Sequence, residues 1–436
     1  MLLSLFNLRR GEAAPVLLSS AFFFCVLAAL MVLRPARDAL GMQRGIDEVR
    51  WLFFGTAAVT LLANPVFGWM VSRYRRLQFI GAGYAFFAAS LIGFYALLAF
   101  APAAVGERSG QVFYVWFSVF NFFATMLFWA LMADRFSLAQ SKRFFPLIAA
   151  GGTLGAIAGP WLALQFAERL GTAALLLIAV GFLLLAIAAA WAVARSQTPT
   201  SVPHAALEPA DAVIGGSAWA GIGAVFGSPY LLGIAAYVLI LSVLVTFLYF
   251  TRLQMVASLE AGLDERTAWL ARIDLYTQMA TLALQTVLAG HLIRRIGISL
   301  TLALLPVTAA LGFIGLAMIG SVAALIIFDA VFRAVQRAVM RPARETLFTV
   351  VGRSDKYKAK ALIDTFVYRL GDVTGAQTEG LLSRFGLALH ALASIAVPLA
   401  LVWAALGIWL GRKQSQLADS KADSQAGPAN QSILDR

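Results

Sequence analysis

The segment "KRFFPLIAAGGTLGAIAG", Lys142 to Gly159, returns in altered form as "KAKALIDTFVYRLGDVTG", Lys358 to Gly375. The two segments superpose without gaps, each opens with a lysine, and two glycines coincide. A second correspondence links "GWMVSRYRR" (Gly68 to Arg76) with "GHLIRRIG" (Gly290 to Gly297). The chain therefore consists of two related halves, and the architecture of one half predicts that of the other.

The composition indicates a membrane protein. Hydrophobic residues make up 61% of the chain and charged residues 13%, whereas a soluble domain is about 45–50% apolar and about 25% charged. Many apolar runs exceed the roughly 18 residues that predict a transmembrane helix. We therefore predict an all-α membrane protein that crosses the bilayer many times.

Twelve spans are predicted, six before and six after a polar link. They lie near residues 14–34, 51–72, 77–101, 111–133, 144–167, 172–194, 229–251, 267–291, 297–319, 323–348, 360–383 and 387–410. The corresponding regions are an N-terminal six-helix bundle (1–195), a central cytoplasmic linker (196–228), a C-terminal six-helix bundle (229–411) and a disordered cytoplasmic tail (412–436).

Charge predicts the orientation and excludes some partners. Loops rich in Lys and Arg, such as "SRYRR" (Ser72 to Arg76), fall on one side of the membrane. This predicts a bacterial inner-membrane protein with both termini in the cytoplasm. The net charge of +12 does not indicate nucleic-acid binding, because no soluble domain is predicted. Cys25 is the only cysteine, so the chain has no internal disulfide. The expected partners are membrane lipids and a small anionic solute. We also expect the protein to be a monomer that binds no cofactor and no metal.

A row of arginines occupies the tenth predicted span. Arg333, Arg337, Arg341 and Arg344 are spaced four, four and three residues apart, and Asp329 precedes them by one turn, so all five share one helical face. Each arginine at the bilayer centre costs about 2.5–3.5 kcal/mol. This face cannot contact lipid, and its charges must be paired or line a wet cavity.

Two interpretations of this row remain open. The structural one is salt bridging, because Asp364, Asp372 and Glu379 share a face of the eleventh span and can neutralise arginines, while Arg344 and Glu345 reach the interface by snorkelling. The functional one is an anion site, since guanidinium groups match phosphate and carboxylate oxygens. We predict a mixture, in which some arginines are paired and one or two bind a polyanionic solute.

The phrase "LRPARDAL", Leu33 to Leu40, ends the first predicted span, because Pro35 disfavours helical geometry at the residue before it. Arg34 and Arg37 are expected at the external mouth of a transport path, with Asp38 pairing with one of them. The alternative is that both arginines are interfacial anchors.

Smaller signals carry simpler interpretations. Gly151, Gly155 and Gly159 recur every four residues, which indicates close helix packing in lipid and not a nucleotide-binding loop. Arg272 and Asp274 are expected to form an internal ion pair, with a role in a cavity as the alternative. Asn121, a polar residue in the fourth predicted span, is a candidate solute contact. No catalytic constellation is present, so an enzyme is not expected.

The pattern of six plus six spans resembles that of major facilitator transporters. Three phrases also resemble the nucleotide (ATP/ADP) translocases of intracellular bacteria and plastids, and more closely that family's relatives in free-living bacteria. The phrases are "LRPARDALG", "FYVWFSVFNFFATMLFWALMADRFSLAQSKRFFPLIAAGGTLG" and "KYKAKALIDTFVYRLGD". The resemblance implies a major facilitator fold and the exchange of ATP for ADP plus phosphate without hydrolysis.

The resemblance also implies roles for particular residues. Arg37 stands where the family has a functional lysine after its first span, and Lys358 or Lys360, followed by Asp364, matches a late lysine phrase of the family. Ser118 stands where nucleotide exchangers have an acidic residue, which is a departure from the family pattern.

Together these features predict a secondary transporter that moves an anionic, phosphorylated solute by alternating access, with a nucleotide as the first candidate. Arg333 and Arg337 would hold the anion, while Asp329, Asp364 and Asp372 compete with it for the arginines. Coupling to a proton would use Asp364 or Asp372. The alternatives are a proton-coupled exporter of drugs or other small molecules, and a non-transporting membrane scaffold or sensor.

Overall fold

The computed structural model describes residues 12–73, 76–196, 220–288, 292–384 and 389–434. The N-terminal residues 1–11 and most of the predicted linker lie outside this part of the chain. So does Arg75, which belongs to one of the basic loops from which the orientation is predicted.

The described chain is helical almost throughout. The helices of its first half are α1 (Ala13–Gly41), α2 (Ile46–Arg73), α3 (Arg76–Phe100), α4 (Ala103–Arg135), α5 (Leu138–Leu170) and α6 (Ala174–Arg195), with a 3-10 turn at Met42–Arg44. Those of its second half are α7 (Ala220–Phe226), α8 (Pro229–Ala257), α9 (Leu263–Leu288), α10 (Leu292–Ile319), α11 (Val322–Val335), α12 (Arg341–Leu347), α13 (Arg353–Leu362), α14 (Tyr368–Arg384) and α15 (Leu389–Leu434).

Within the described residues, a helix or a run of short helices coincides with each predicted span. Eight of these helices are long and apolar enough to cross a membrane. α2, the region around α9 and the region from α11 to α14 are not among the eight, and the last two carry Asp274, the arginine row and Asp372. Charge concentrated in a few helices lowers their hydropathy below that of their neighbours.

Three boundaries differ from those predicted. The first span was expected to end at Pro35, but α1 continues to Gly41. The prediction of this end is wrong, because Leu33, Ala36 and Ala39 around the proline are fully buried and their packing outweighs one lost backbone hydrogen bond. In addition, α15 extends to Leu434 where a disordered tail was expected, and the short helix α7 lies within the expected linker.

Contacts between residues divide the chain into two compact units. The first comprises Met1–Glu208 together with Leu253–Met279, and the second comprises Pro209–Arg252 together with Ala280–Arg436. The first part of α9 therefore packs with the N-terminal helices, as in the hydrogen bond between the hydroxyl groups of Thr172 and Thr267 (2.8 Å).

In the first unit, α5 packs closely on α1 through its glycines. A Cβ atom added to Gly155 would lie 2.2 Å from the carbonyl oxygen of Phe24, and one added to Gly151 would lie 2.2 Å from Ser20 Oγ. At Gly159 the distance to the backbone nitrogen of Val32 would be 2.7 Å. The predicted packing role of these three glycines is confirmed, since no larger residue fits between the two backbones.

The second unit contains the equivalent packing between α14 and α8. A Cβ atom on Gly371 would lie 2.9 Å from the carbonyl oxygen of Leu239, and one on Gly375 would lie 3.1 Å from that of Val243. In the sequence repeat, Gly371 coincides with Gly155 and Gly375 coincides with Gly159. The repeat in the sequence therefore corresponds to a repeat of helix packing.

This packing predicts that Gly155→Ala destabilises the protein by about 1–3 kcal/mol, because the added methyl group meets backbone atoms of α1 that cannot rotate away. The matched control is Gly93→Ala in α3, where an added Cβ meets nothing within 4 Å. Thermal unfolding in detergent measures both. Equal melting temperatures of the two variants would contradict the close packing of α1 and α5.

Candidate functional site

The arginine row lies on α11, the π-helical turn Gln336–Met340 and α12 in the second unit. Its first member is paired on its own helix, where Arg333 Nε donates to Asp329 Oδ1 at 2.7 Å. Asp329 is fully buried and Arg333 is 9% exposed. A buried charge needs a partner of opposite sign, and the spacing of four residues places this partner one turn away.

The π-helical turn follows from Pro342, which has no backbone N–H to donate to Ala338. The helix widens one turn earlier, and the backbone N–H of Arg341 donates to the carbonyl oxygen of Gln336, five residues back. A second π-helical turn, Ile363–Val367, lies between α13 and α14. Such turns often occur at functional sites, and here both lie beside the charged residues.

An ionic network connects α12 with the start of the eleventh span. Arg344 Nη2 lies 3.1 Å from Asp364 Oδ1 and 3.5 Å from Glu345 Oε1. Glu345 in turn accepts a hydrogen bond from Lys360, whose Nζ lies 5.7 Å from the centre of the Phe348 ring. Arg344 and Glu345 therefore have ionic partners, which the snorkelling interpretation did not include.

The middle of the row is more accessible than its ends. Arg337 is partly exposed and Arg341 is exposed. Among the described residues, no carboxylate pairs with Arg341. The charges of Arg333, Arg341 and Arg369 all act on the hydroxyl group of Tyr368, so these groups share one electrostatic environment within the second unit.

Asp372 is held by groups other than the arginine row. Its Oδ1 accepts a hydrogen bond of 2.6 Å from Ser242, and its Oδ2 accepts one of 3.0 Å from Arg369 Nη1. Thr246 Oγ1 lies 3.5 Å from the same carboxylate. Asp372 was expected to pair with the arginine row. It instead contacts Ser242 and Thr246 of α8 and Arg369 of its own helix.

Glu379 lies two turns beyond Asp372 and is 2% exposed. It accepts a hydrogen bond of 2.8 Å from Ser383. The acidic face predicted for the eleventh span therefore exists, but its members serve separate contacts, and Asp364 is the one that reaches an arginine of α12.

In the first unit, the basic residues of "LRPARDAL" are also paired. Arg37 Nε donates to Asp38 at 2.8 Å, and its guanidinium carbon lies 4.6 Å from the centre of the Tyr114 ring. Arg34 Nε lies 3.6 Å from Asp274 Oδ2. The predicted pairing of Asp38 with one of the two arginines agrees with this arrangement.

The sequence suggested an ion pair between Asp274 and Arg272. In the structure Asp274 is paired with Arg34 instead. Arg272 instead lies over the ring of Trp269, 4.5 Å from its centre. Side chains two residues apart on a helix point to different sides, which explains why Arg272 and Asp274 do not meet.

The remaining candidates are less closely integrated. Asn121 is exposed, and its carbonyl oxygen accepts a hydrogen bond of 2.9 Å from Thr125. Lys358 is partly exposed on α13. Lys360, two residues later, belongs to the network with Glu345.

Three residues that surround Asp372 were not predicted from the sequence: Ser242, Thr246 and Arg369. Ser242 and Thr246 are four residues apart and therefore share a face of α8, while Arg369 precedes Asp372 by three residues. These spacings are detectable in the sequence. Ser242 and Thr246 reach Asp372 because α8 packs against α14. In the sequence, only the glycines of the repeat indicate this packing.

Comparisons with known proteins agree on the fold. The family model described as Major Facilitator Superfamily matches residues 15–344. Among curated proteins, no sequence match to this chain is found.

Solved structures with similar folds include several transporters. A mutant of the nucleoside transporter NupG has a TM-score of 0.59 at 12% identity, covering 92% of this chain and 98% of that one. A bacterial homologue of the human lysosomal transporter Spinster, in an inward-facing and unoccupied conformation, has a TM-score of 0.61 at 12% identity, covering 94% and 98%. The POT family transporter PepTSo has a TM-score of 0.60 at 12% identity, covering 93% and 98%.

At this identity the structures establish the fold and not the solute. The family model, in contrast, spans most of the chain, and the fold contains the predicted helices in two related sets. The chain is a multi-pass membrane transporter of small solutes, not an enzyme, and it belongs to the Major Facilitator Superfamily.

Proposed function

We propose that this secondary transporter carries a small anionic, phosphorylated solute across a bacterial inner membrane by alternating access, as a monomer with both termini in the cytoplasm. The observation that carries the proposal is Arg341. It is exposed within a row of guanidinium groups, and no carboxylate among the described residues neutralises it. An arginine maintained in such a helix without a counter-ion favours a solute that supplies one.

The neighbouring groups support an anion over a cation. α11, the π-helical turn and α12 together carry four arginines and only two acids, Asp329 and Glu345. The Tyr368 hydroxyl lies within the influence of Asp372 and of three of the unit's arginines and offers a further donor. Guanidinium forks and a phenol donor suit the oxygens of a phosphate group.

The paired acids supply a means of exchange. Arg344 is held by Asp364, and Glu345 by Lys360. A phosphate that arrives competes with these carboxylates, and the carboxylates recover their partners when it leaves. In the empty transporter Arg344 and Glu345 thus keep ionic partners, which lowers the cost of its conformational change.

A nucleotide is the first candidate solute. The resemblance to ATP/ADP translocases supports it, through Arg37 and the "KAKALID" phrase, Lys358 to Asp364. Ser118 argues for a related phosphorylated solute in its place. Both versions use the same arginines, and they differ in the part of the solute that is not phosphate.

The test is a thermal-shift screen of the purified full-length protein against ATP, ADP, a sugar phosphate, a dicarboxylate and uncharged adenosine, followed by counterflow in proteoliposomes. A ligand at 100 times its Kd stabilises the native state by about 2.7 kcal/mol. We expect a phosphorylated compound to raise the melting temperature and adenosine to leave it unchanged.

The same preparation separates the rival functions. Stabilisation and proton-stimulated export of a cationic dye, with no response to any anion, would replace the proposal by drug export. A response to the sugar phosphate without a response to ATP or ADP would retain the anion site and reject the nucleotide.

A further inference from the structure

The first unit contains a long apolar groove that the transport site does not use. Its volume is about 1020 Å³, and it lies between α2, α3 and α4. α2 contributes Leu52 and Val59, and α3 contributes Phe79, Gly83 and Phe86. Its size is at the upper end of the range for ligand sites, about 300–1,000 Å³.

α4 forms the floor of this groove. Its lining residues Arg108, Val112, Val115, Val119 and Phe123 are spaced by three or four positions and so share one helical face. The lining extends from Arg108 to Leu127, which at 1.5 Å per residue is about 28 Å. This is close to the roughly 30 Å thickness of the hydrocarbon core of a bilayer.

Only one end of the groove is polar. Arg108 is exposed there, and no carboxylate among the described residues pairs with it. Gln111, three residues further, accepts a hydrogen bond of 3.4 Å from Arg44 Nη1 through Oε1. Two arginines and one amide therefore surround the mouth, while the rest of the lining is hydrocarbon and aromatic.

Two buried N–H donors in the lining lack an acceptor within the described structure. They are Gln111 Nε2 and Trp116 Nε1. Buried donors are almost always satisfied, and in hydrocarbon no water is present to satisfy them. The Trp116 ring is fixed by stacking on Phe113 and Phe120, with centroid distances of 5.6 and 5.2 Å, so its donor stays buried and the groove wall beyond the mouth is apolar.

An occupant of the groove must match these features in order. It needs an anionic group at the level of Arg108 and alkyl chains along the apolar length. An anionic phospholipid has this sequence of groups, with a phosphate followed by acyl chains.

We propose that the groove between α2, α3 and α4 binds an anionic phospholipid of the bilayer. The phosphate contacts Arg108 at the polar mouth, and the acyl chains lie against Val115, Val119 and the phenylalanines. A basic side chain at the membrane surface attracts the phosphate of an anionic lipid. The inference is independent of the transported solute.

The test is native mass spectrometry of the full-length protein in detergent, titrated with phosphatidylglycerol or with phosphatidylcholine of the same acyl chains. We expect phosphatidylglycerol to bind preferentially to the wild type. Arg108→Gln should lower its affinity about fivefold, which is the contribution of one basic side chain to an anionic lipid. Val119→Trp should remove the bound lipid by filling the groove.

The matched control is Arg169→Gln, which removes an exposed arginine of the same unit that does not line the groove. It should bind phosphatidylglycerol as the wild type does. Retention of the lipid by both Arg108→Gln and Val119→Trp would overturn the proposal, as would an equal loss in Arg169→Gln. A change of oligomeric state in Val119→Trp with unchanged lipid binding would assign the groove to a second copy of the chain.

Discussion

Replacement of Arg341 by alanine is expected to lower uptake of the solute in proteoliposomes by about 10- to 150-fold. The estimate follows from the roughly 1.5–3 kcal/mol that a hydrogen bond to a charged group contributes, at 1.4 kcal/mol per factor of ten. Because Arg341 is exposed and has no carboxylate partner among the described residues, its removal costs the fold little. The loss should therefore appear in transport and not in the melting temperature.

Two companion variants sharpen this prediction. Arg341→Lys keeps the charge but loses the planar fork, so we expect uptake between that of the wild type and that of Arg341→Ala. Arg337→Ala should also reduce uptake, since it belongs to the same row. Arg412→Ala, which removes an exposed arginine of α15, serves as the control and should transport normally. Normal uptake by Arg341→Ala with a folded protein would refute an arginine-held anion.

Replacement of Arg333 by alanine is expected to act on stability instead, with a loss of about 3 kcal/mol. The change removes the ion pair with Asp329, a fully buried carboxylate. Removal of one partner of a buried pair is costly because the other charge stays in a medium of low dielectric constant. Unfolding of the purified protein in a mixed-detergent titration measures the effect.

The decisive comparison is the double variant with leucine at both Asp329 and Arg333. Replacement of a buried ion pair by apolar residues is often neutral or stabilising, so the double variant should recover most of the loss. Asp47→Ala, at the exposed end of the ion pair with Arg50, is the control and should cost less than about 1 kcal/mol. If the double variant is as unstable as Arg333→Ala, the arginine stabilises the fold through contacts other than this pair.

These two variants separate roles that the sequence could not distinguish. Arg333 and Arg341 share a helical face and look equivalent in a periodic pattern. One is 9% exposed beside its own acid, and the other is exposed beyond a π-helical turn. The difference depends on which helices cover each turn, and that information is not local.

The positions of the helices were predictable because hydrophobicity, length and glycine spacing act locally. The packing of Gly151, Gly155 and Gly159 was predictable for the same reason, since small residues at intervals of four form a flat strip on any helix in lipid. The end of α1 was not predictable from Pro35, because the buried residues around the proline decide whether the helix continues.

The sequence by itself determined that the chain is a membrane protein of two related halves, and that arginines and acids occupy helical faces that lipid cannot cover. The tertiary structure alone decided the partners: Asp364 with Arg344, Asp372 with Ser242 and Arg369, and Asp274 with Arg34. The physical reason is that the free energy of burying charge requires compensation but does not specify its source. Any acid within reach suffices, and reach is set by the packing and the register of neighbouring helices.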